Sequence, residues 1–378
     1  MIKIGIRNNL LYPLLFVICL GARRIVKLIL ERIIDYEGPF LLAFLMFFFE
    51  FIFSGIFTFY IYRKKKKKSK VIGITLIKNE KELNRKDSKC KIILLIFLAA
   101  CIELIGAIDR RYLINKISKE DEEADHINTR LRSFEILISS LLSYFILHIK
   151  IYKHHIVTLI IIGVSLICGL LIEIHIQKNN IIWETILILI ISILSRVFLD
   201  IIEKYLFDKD FIDVYKITAF EGFIDTILIL FSYISKSARD EINELINSNK
   251  IVFALILLII YGFLSVFKNI YRRFTLNEYS PMTRALAESI FDPFIIIFDF
   301  IDHKKYNDEE GRICYTLFFI FSIIMVFCSC VYNEFLVLYF CDMEHDTYIE
   351  ISKRAKEKEE RNDYDNIEEE DKEKMGIY

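Results

Sequence analysis

The chain has 378 residues, of which 54% are apolar and 33 are Phe, and its formal net charge is −1. A soluble chain of this length would form about two or three domains; the apolar content and positive mean hydropathy point instead to one polytopic membrane domain. The near-zero charge hides a segregation, with bases crowded into residues 63–70 and acids into 357–373, and a basic run between two membrane helices reads as a cytosolic loop rather than a nucleic-acid contact.

From the N-terminus onward, about ten apolar stretches each approach the ~20 residues that a helix needs to cross a bilayer. Helices are predicted near 10–30, 39–62, 91–109, 129–149, 155–176, 180–202, 213–235, 250–269, 281–301 and 313–341. The Ile-rich run 155–172 would suit a strand by propensity, but an open strand cannot satisfy its backbone in lipid, so helix wins. At the start, Lys3 and Arg7 precede the apolar run 10–20 and a Cys19-Leu20-Gly21 site of signal-peptide form; cleavage there would remove the first helix and leave the orientation of the rest unchanged. The eight cysteines lie mostly in apolar stretches (Cys19, Cys101, Cys168, Cys314 and Cys328 among them), and Cys328 and Cys330 lack zinc-site spacing. No disulfide, metal or other cofactor is predicted.

Basic loops at 63–91, 150–155 and 268–284 fall on one side if the helices alternate, and the acidic 118–125 falls opposite. Both termini are then cytosolic. The polar break near 177–180 divides the helices five and five, and an odd number per half inverts the second half relative to the first. The expected fold is an all-α membrane protein of ten transmembrane helices in two inverted five-helix repeats. Residues 1–178 form the first repeat, with the basic loop 63–90, and 179–341 form the second. Residues 342–378 form a charged, disordered cytosolic tail. Tyr364-Asp-Asn-Ile367 in that tail, and the similar Tyr348–Ile351, have the form of a sorting signal read by adaptor proteins.

Residues 131–145 (Leu-Arg-Ser-Phe-Glu-Ile-Leu-Ile-Ser-Ser-Leu-Leu-Ser-Tyr-Phe), running into Tyr152-Lys-His-His and a long Ile/Val helix, resemble the fourth-to-fifth helix passage of the drug/metabolite transporter superfamily. Pro39-Phe40 followed by 46–50 (Met-Phe-Phe-Phe-Glu) resembles the second helix of its nucleotide-sugar-transporter-like members. Glu203-Lys204-Tyr205 with Glu221-Gly222, and Tyr279 through Glu288, look like the F-type members of solute carrier family 35, as do Gly21 and Lys27 in the first helix. The resemblance covers about residues 10–341 and implies an EamA-like carrier. The chain departs from that pattern in having only 12 Gly and no clear sugar-nucleotide-binding motif.

Polar residues inside apolar helices mark function, because lipid tolerates them only for a reason. Arg284, Glu288 and Asp292 recur every four residues and share one face of the ninth helix, a pattern suited to proton coupling or solute binding, or to a structural ion pair. Glu50 and Glu103 lie midway along the second and third helices without a base of their own, and Arg23, Arg24 and Lys27 of the first helix are candidate partners. Arg132 with Arg130 and Glu135 opens the fourth helix, above the stripe Ser139, Ser140 and Ser143, which more often packs helices than binds ligand. Arg196 with Asp200 and Glu221 with Asp225 are spaced i, i+4 near the cytosolic side and could form an inward gate, although interface charge is the plainer reading for all but the deep Glu221. His154 and His155 lack metal-ligand company in the sequence.

The solute and coupling candidates are thus Lys27, Glu50, Glu103, Arg132, Glu221, Arg284, Glu288 and Asp292. They fit a secondary-active carrier of a small polar, anionic organic solute, working by alternating access with proton coupling or exchange, in an endomembrane such as the Golgi or the lysosome or vacuole. No Walker loop is present, which argues against a primary pump. The alternatives are a membrane-embedded enzyme acting on lipid, for which His148 and His175 lie near helix ends while paired intramembrane acids keep the option open, and a transport-inactive scaffold; a homodimer is left open.

Overall fold

A computed structural model describes residues 2–4, 11–34, 36, 38–71, 89–120, 134–176, 183–210, 212–232, 236–247, 250–290 and 309–338, with 347, 350–351, 353–354 and 357 from the tail. The described chain is helical, apart from one short antiparallel pair. Its helices are α1 (Leu11–Ile34), α2 (Pro39–Val71), α3 (Lys89–Glu120), α4 (Glu135–Leu147), α5 (Lys153–Ile176), α6 (Trp183–Asp210), α7 (Val214–Ser232), α8 (Lys236–Asn247), α9 (Ile251–Glu278), α10 (Pro281–Ser289) and α11 (Glu309–Tyr332). Strand β1 (Ile2–Ile4) pairs with β2 (Leu336–Leu338), Ile2 opposite Leu338.

All these helices but α8 fall on a predicted apolar stretch. Among the described residues two segments, Phe40–Lys64 and Ile251–Glu278, are long and apolar enough to cross a membrane; Glu135–Leu147, Lys153–Gly169 and Thr316–Tyr332 are apolar but shorter. Local chemistry sets several ends. Ser280 caps α10, its Oγ accepting from the Thr283 N–H at 3.2 Å, with Pro281 at the first helical position. His148 adopts a left-handed conformation (φ 54°) and donates its N–H to the Ser143 carbonyl, which closes α4 and turns the chain tightly into α5. The amphipathic α8 was unforeseen. It places Glu241 at the start of α2, where the carboxylate accepts the N–H groups of Phe40 at 3.0 Å and Leu41 at 3.2 Å.

In the bundle, α2 packs along α7, α1 along α9, α3 along α6 and α5 along α11. Further contacts join α2 to α9, α3 to α7, α4 to α6 and α10, α1 to α10, and α2 to α3, with α7 likewise against α9. At the α2–α7 crossing, Gly222 lies against backbone: a Cβ there would sit 2.8 Å from the Phe51 nitrogen and 3.0 Å from the Phe47 oxygen. Only a residue without a side chain lets these helices approach so closely.

Side chains are distributed inside-out. Ile93, Leu94 and Phe97 on α3, Ile160, Val164 and Leu171 on α5, and Val252, Phe253 and Ile256 on α9 face outward, while Glu50, Asp200, Glu203, Glu221, Arg273 and Arg284 are buried. A water-soluble protein distributes the two the other way round. One apolar cluster (Leu30, Leu42, Leu245, Leu258, Tyr261) joins α1, α2, α8 and α9; another (Ile96, Leu206, Ile217, Leu276) joins α3, α6, α7 and α9. Along α9 the charged run from Lys268 to Arg273 lies between them.

Candidate functional site

The continuation of α9 to Glu278 decides the site. The sequence reading ends this helix near 269 and makes 268–284 a basic loop, because bases beyond an apolar run fit the cytosolic side of a membrane. Instead Lys268, Asn269, Arg272 and Arg273 belong to the helix and are all buried, with Arg273 0% exposed. The bases at 63–70 and at 150–153 are then what remains of the orientation argument.

Arg273 is the hub of one lobe. Its Nη2 donates to Glu103 Oε2 at 2.7 Å and to Glu221, and its Nε donates to Glu203 Oε1 at 2.9 Å. Glu50 Oε2 lies 3.5 Å from its Nη1. Asn269 Nδ2 donates to Glu50 and, at 3.4 Å, to Glu103. Glu50 is therefore held by α9, not by the α1 bases that the sequence suggested. Arg284 is the hub of the second lobe, donating to Glu288 at 3.0 Å and to both Glu135 and Asp200. Arg196 closes this lobe with Glu288 at 2.7 Å and Glu135 at 3.2 Å. Arg272 ties the lobes together through Asp200 at 2.8 Å and Glu203 at 2.5 Å.

Periodicity explains how one helix serves both lobes. Arg196, Asp200 and Glu203 follow the i, i+4, i+7 stripe of α6, so Asp200 meets Arg284 and Arg272 while Glu203 meets Arg272 and Arg273. Arg196 and Asp200, plainer as interface charges in the sequence, and Glu221, already too deep for one, are bonded within this network, and Asp225 lies one turn beyond Glu221. Charged groups stripped of solvent at this depth are costly unless bonded. The remaining side chains divide clearly. Ser139, Ser140 and Ser143 are buried on α4, which packs against α6, α5 and α10, in keeping with a helix-packing role. Lys204 lies apart from the network, donating to the Asn277 carbonyl at 3.0 Å and pairing with Asp208 at 3.1 Å.

Of the sequence candidates, Glu50, Glu103, Glu221, Arg284 and Glu288 come together in this network. Lys27 is half-buried on α1; one turn earlier Arg23 faces the site, its guanidinium 5.7 Å from the Tyr261 ring centre. Arg132 and Asp292 lie outside the described residues, as do Tyr348 and the Tyr364 motif. Sequence reasoning missed Lys268, Arg272 and Arg273. Asp225 it had weighed as part of an inward gate or, more plainly, as an interface charge. The one signal that could have found the three bases is their place in the same 3–4 residue register as Tyr261 and Ser265 on the inward face of α9.

Glu103, Glu203 and Glu221 bring their oxygens within 4.8 Å of one another, but the Arg273 guanidinium bonds all three and takes the position that a metal ion would need. A second trio gives the histidine pair company that the sequence did not reveal: Glu334, at the end of α11, lies 3.7 Å from His154 Nε2. His155 is committed elsewhere, accepting the Tyr152 N–H at 3.3 Å and bonded to the Tyr332 backbone, so the trio fastens α5 to α11 and is a poor ligand set. Lys268 differs from every other base here. It is 9% exposed, and among the described residues no hydrogen bond or ion pair reaches its ammonium. The charges acting on it are Arg23, Arg272 and Arg196, opposed by Glu288, Glu50 and Glu103, none of which bonds it. No protein-family model and no curated protein matches this chain.

Proposed function

We propose that this chain is a multi-pass, secondary-active carrier of a small polar organic anion, built like the drug/metabolite transporters from two inverted five-helix halves. Exchanging α1 with α6, α2 with α7, α3 with α9, α4 with α10 and α5 with α11 maps the main helix contacts onto one another, as two related halves would. The outward apolar and inward charged side chains suit a lipid solvent. Pairing of β1 with β2 brings the two ends of the bundle to one side, in keeping with an even number of crossings and both termini in the cytosol. An endomembrane remains the expected setting.

The unpaired Lys268 carries this proposal. A largely buried ammonium that no acid bonds is costly, and three neighbouring cations add to that cost against the more distant Glu288, Glu50 and Glu103; an arriving carboxylate or phosphate group would relieve it. The bound anion would also compete with Glu288 for Arg196 and with Asp200 for Arg272. Those bonds lie within the second half, but Arg196 also pairs with Glu135 of the first half at 3.2 Å, so drawing Arg196 onto the anion offers a way to let the halves rock. Every acid of the network except Asp225 is bonded to an Arg or to Asn269, which leaves little for the acid–base work of a membrane enzyme.

The test is thermal unfolding of the detergent-purified protein against sugar phosphates, nucleotides, nucleotide sugars, carboxylates, amino acids and small peptides. A ligand at about a hundred times its dissociation constant stabilises by ~2.7 kcal/mol. An anion-specific shift that disappears in Lys268→Met supports the carrier. A shift only with neutral solutes, or one unchanged in Lys268→Met, sinks it.

A further inference from the structure

The other anomaly in the network is Asp225, one turn beyond Glu221 on α7. It is 0% exposed, and among the described residues neither carboxylate oxygen has a hydrogen-bond partner. The helices packed on α7 are α2, α3 and α9. From them the charges within reach of Asp225 are Glu50, Glu103 and Arg273, with Glu221 on its own helix. Only Arg273 is a cation; its Nη2 and Nε are already bonded to Glu103, Glu203 and Glu221, and its Nη1, which makes no hydrogen bond, faces Glu50 at 3.5 Å. A bare carboxylate at this position would combine full desolvation, no donor and three like charges.

Two occupants could neutralise it, a proton or a metal cation. A dehydrated cation demands several oxygen ligands at once, and the convergence of acid oxygens nearby is filled by the Arg273 guanidinium. We propose that Asp225 holds a proton in this closed arrangement and is the proton-coupling site of the protein. This rests on the carrier proposal for its function, though not for its chemistry. Asp225 lies beside the close α2–α7 crossing at Gly222, so parting these helices would admit water and let the proton leave. One proton at Asp225 and one anion at Lys268 would then cross together with no net charge.

Infrared difference spectroscopy of the purified protein, with no solute added, tests the proton directly. At neutral pH a protonated carboxylic acid contributes a C=O stretch above the amide band that moves in D2O. The expected band is present in the wild type and missing in Asp225→Asn. Should that variant fail to fold, labelling the wild type with carboxyl-13C aspartate serves instead: the band must shift. A band that is absent, or insensitive to both, overturns the assignment, as does an unfolding midpoint that rises with Na+ or Ca2+ at constant ionic strength. Because the folded state holds a proton that the unfolded chain has released, stability must fall as pH rises. Asp225→Asn should remove about tenfold per pH unit from the dependence of the folding constant.

Discussion

Replacing Arg273 with Met removes the guanidinium but keeps most of the volume, so the loss is almost wholly electrostatic. Three carboxylates lose a bonded cation (Glu103 at 2.7 Å, Glu203 at 2.9 Å, and Glu221), and Glu50 loses its counter-charge at 3.5 Å. Removing one partner of a buried pair costs about 3–5 kcal/mol, because the other charge is left uncompensated. Here Arg272 still reaches Glu203 at 2.5 Å, which holds the cost to that range. In Arg273→Met/Glu221→Gln the charge pair disappears as a unit, and more than half of the loss should return, since buried pairs replaced together are often near neutral. Arg273→Lys should fall between, as one ammonium cannot span three acids. The variant's carboxylates can stay buried only by taking up protons that the unfolded chain lacks at neutral pH. Its native state therefore binds more protons than its unfolded state, and its deficit must widen as pH rises and narrow on acidification. The assay is the unfolding midpoint in detergent, followed with a thiol-reactive dye across pH. Arg273→Met within ~0.5 kcal/mol of wild type, with no trend in pH, would refute the ionic network.

Other substitutions probe the frame without touching the charges. Glu241→Ala should cost about 1 kcal/mol by uncapping α2, with Glu241→Gln costing roughly half, and both should leave any solute-induced shift intact. Gly222→Ala should cost ~1–3 kcal/mol, because its methyl meets backbone atoms of α2 that cannot yield. Gly55→Ala on the same α2 has nothing within 4 Å of the new methyl and should be neutral or gain up to about 1 kcal/mol of helix propensity. The two glycine variants are compared in one thermal scan, and equal effects would contradict the close α2–α7 contact.

Helix positions were legible because long apolar runs were read as helices rather than as open strands, which lipid would leave unsatisfied, so the stretches could be marked by composition alone. The helix that escaped, α8, is short and largely charged; its only trace was Ile242, Leu245 and Ile246 at helical spacing. Half-site residues such as Glu50, Glu221 and Glu288 were legible for the opposite reason, as charges that apolar surroundings make expensive. Arg272 and Arg273 were not, because a base near the end of an apolar run has two meanings, a loop outside the membrane or an inward face of a longer helix.

What the sequence determined by itself was which segments are helices and which charges are out of place among them. Only the tertiary structure decided the partners: Arg284 meets Glu135 across 149 residues, Arg273 meets Glu103 across 170, and Lys268 and Asp225 are left over. The reason is physical. Helix formation depends on neighbours three and four residues away, whereas the pairing of buried charges depends on which helix faces close on one another, and no local pattern encodes that choice.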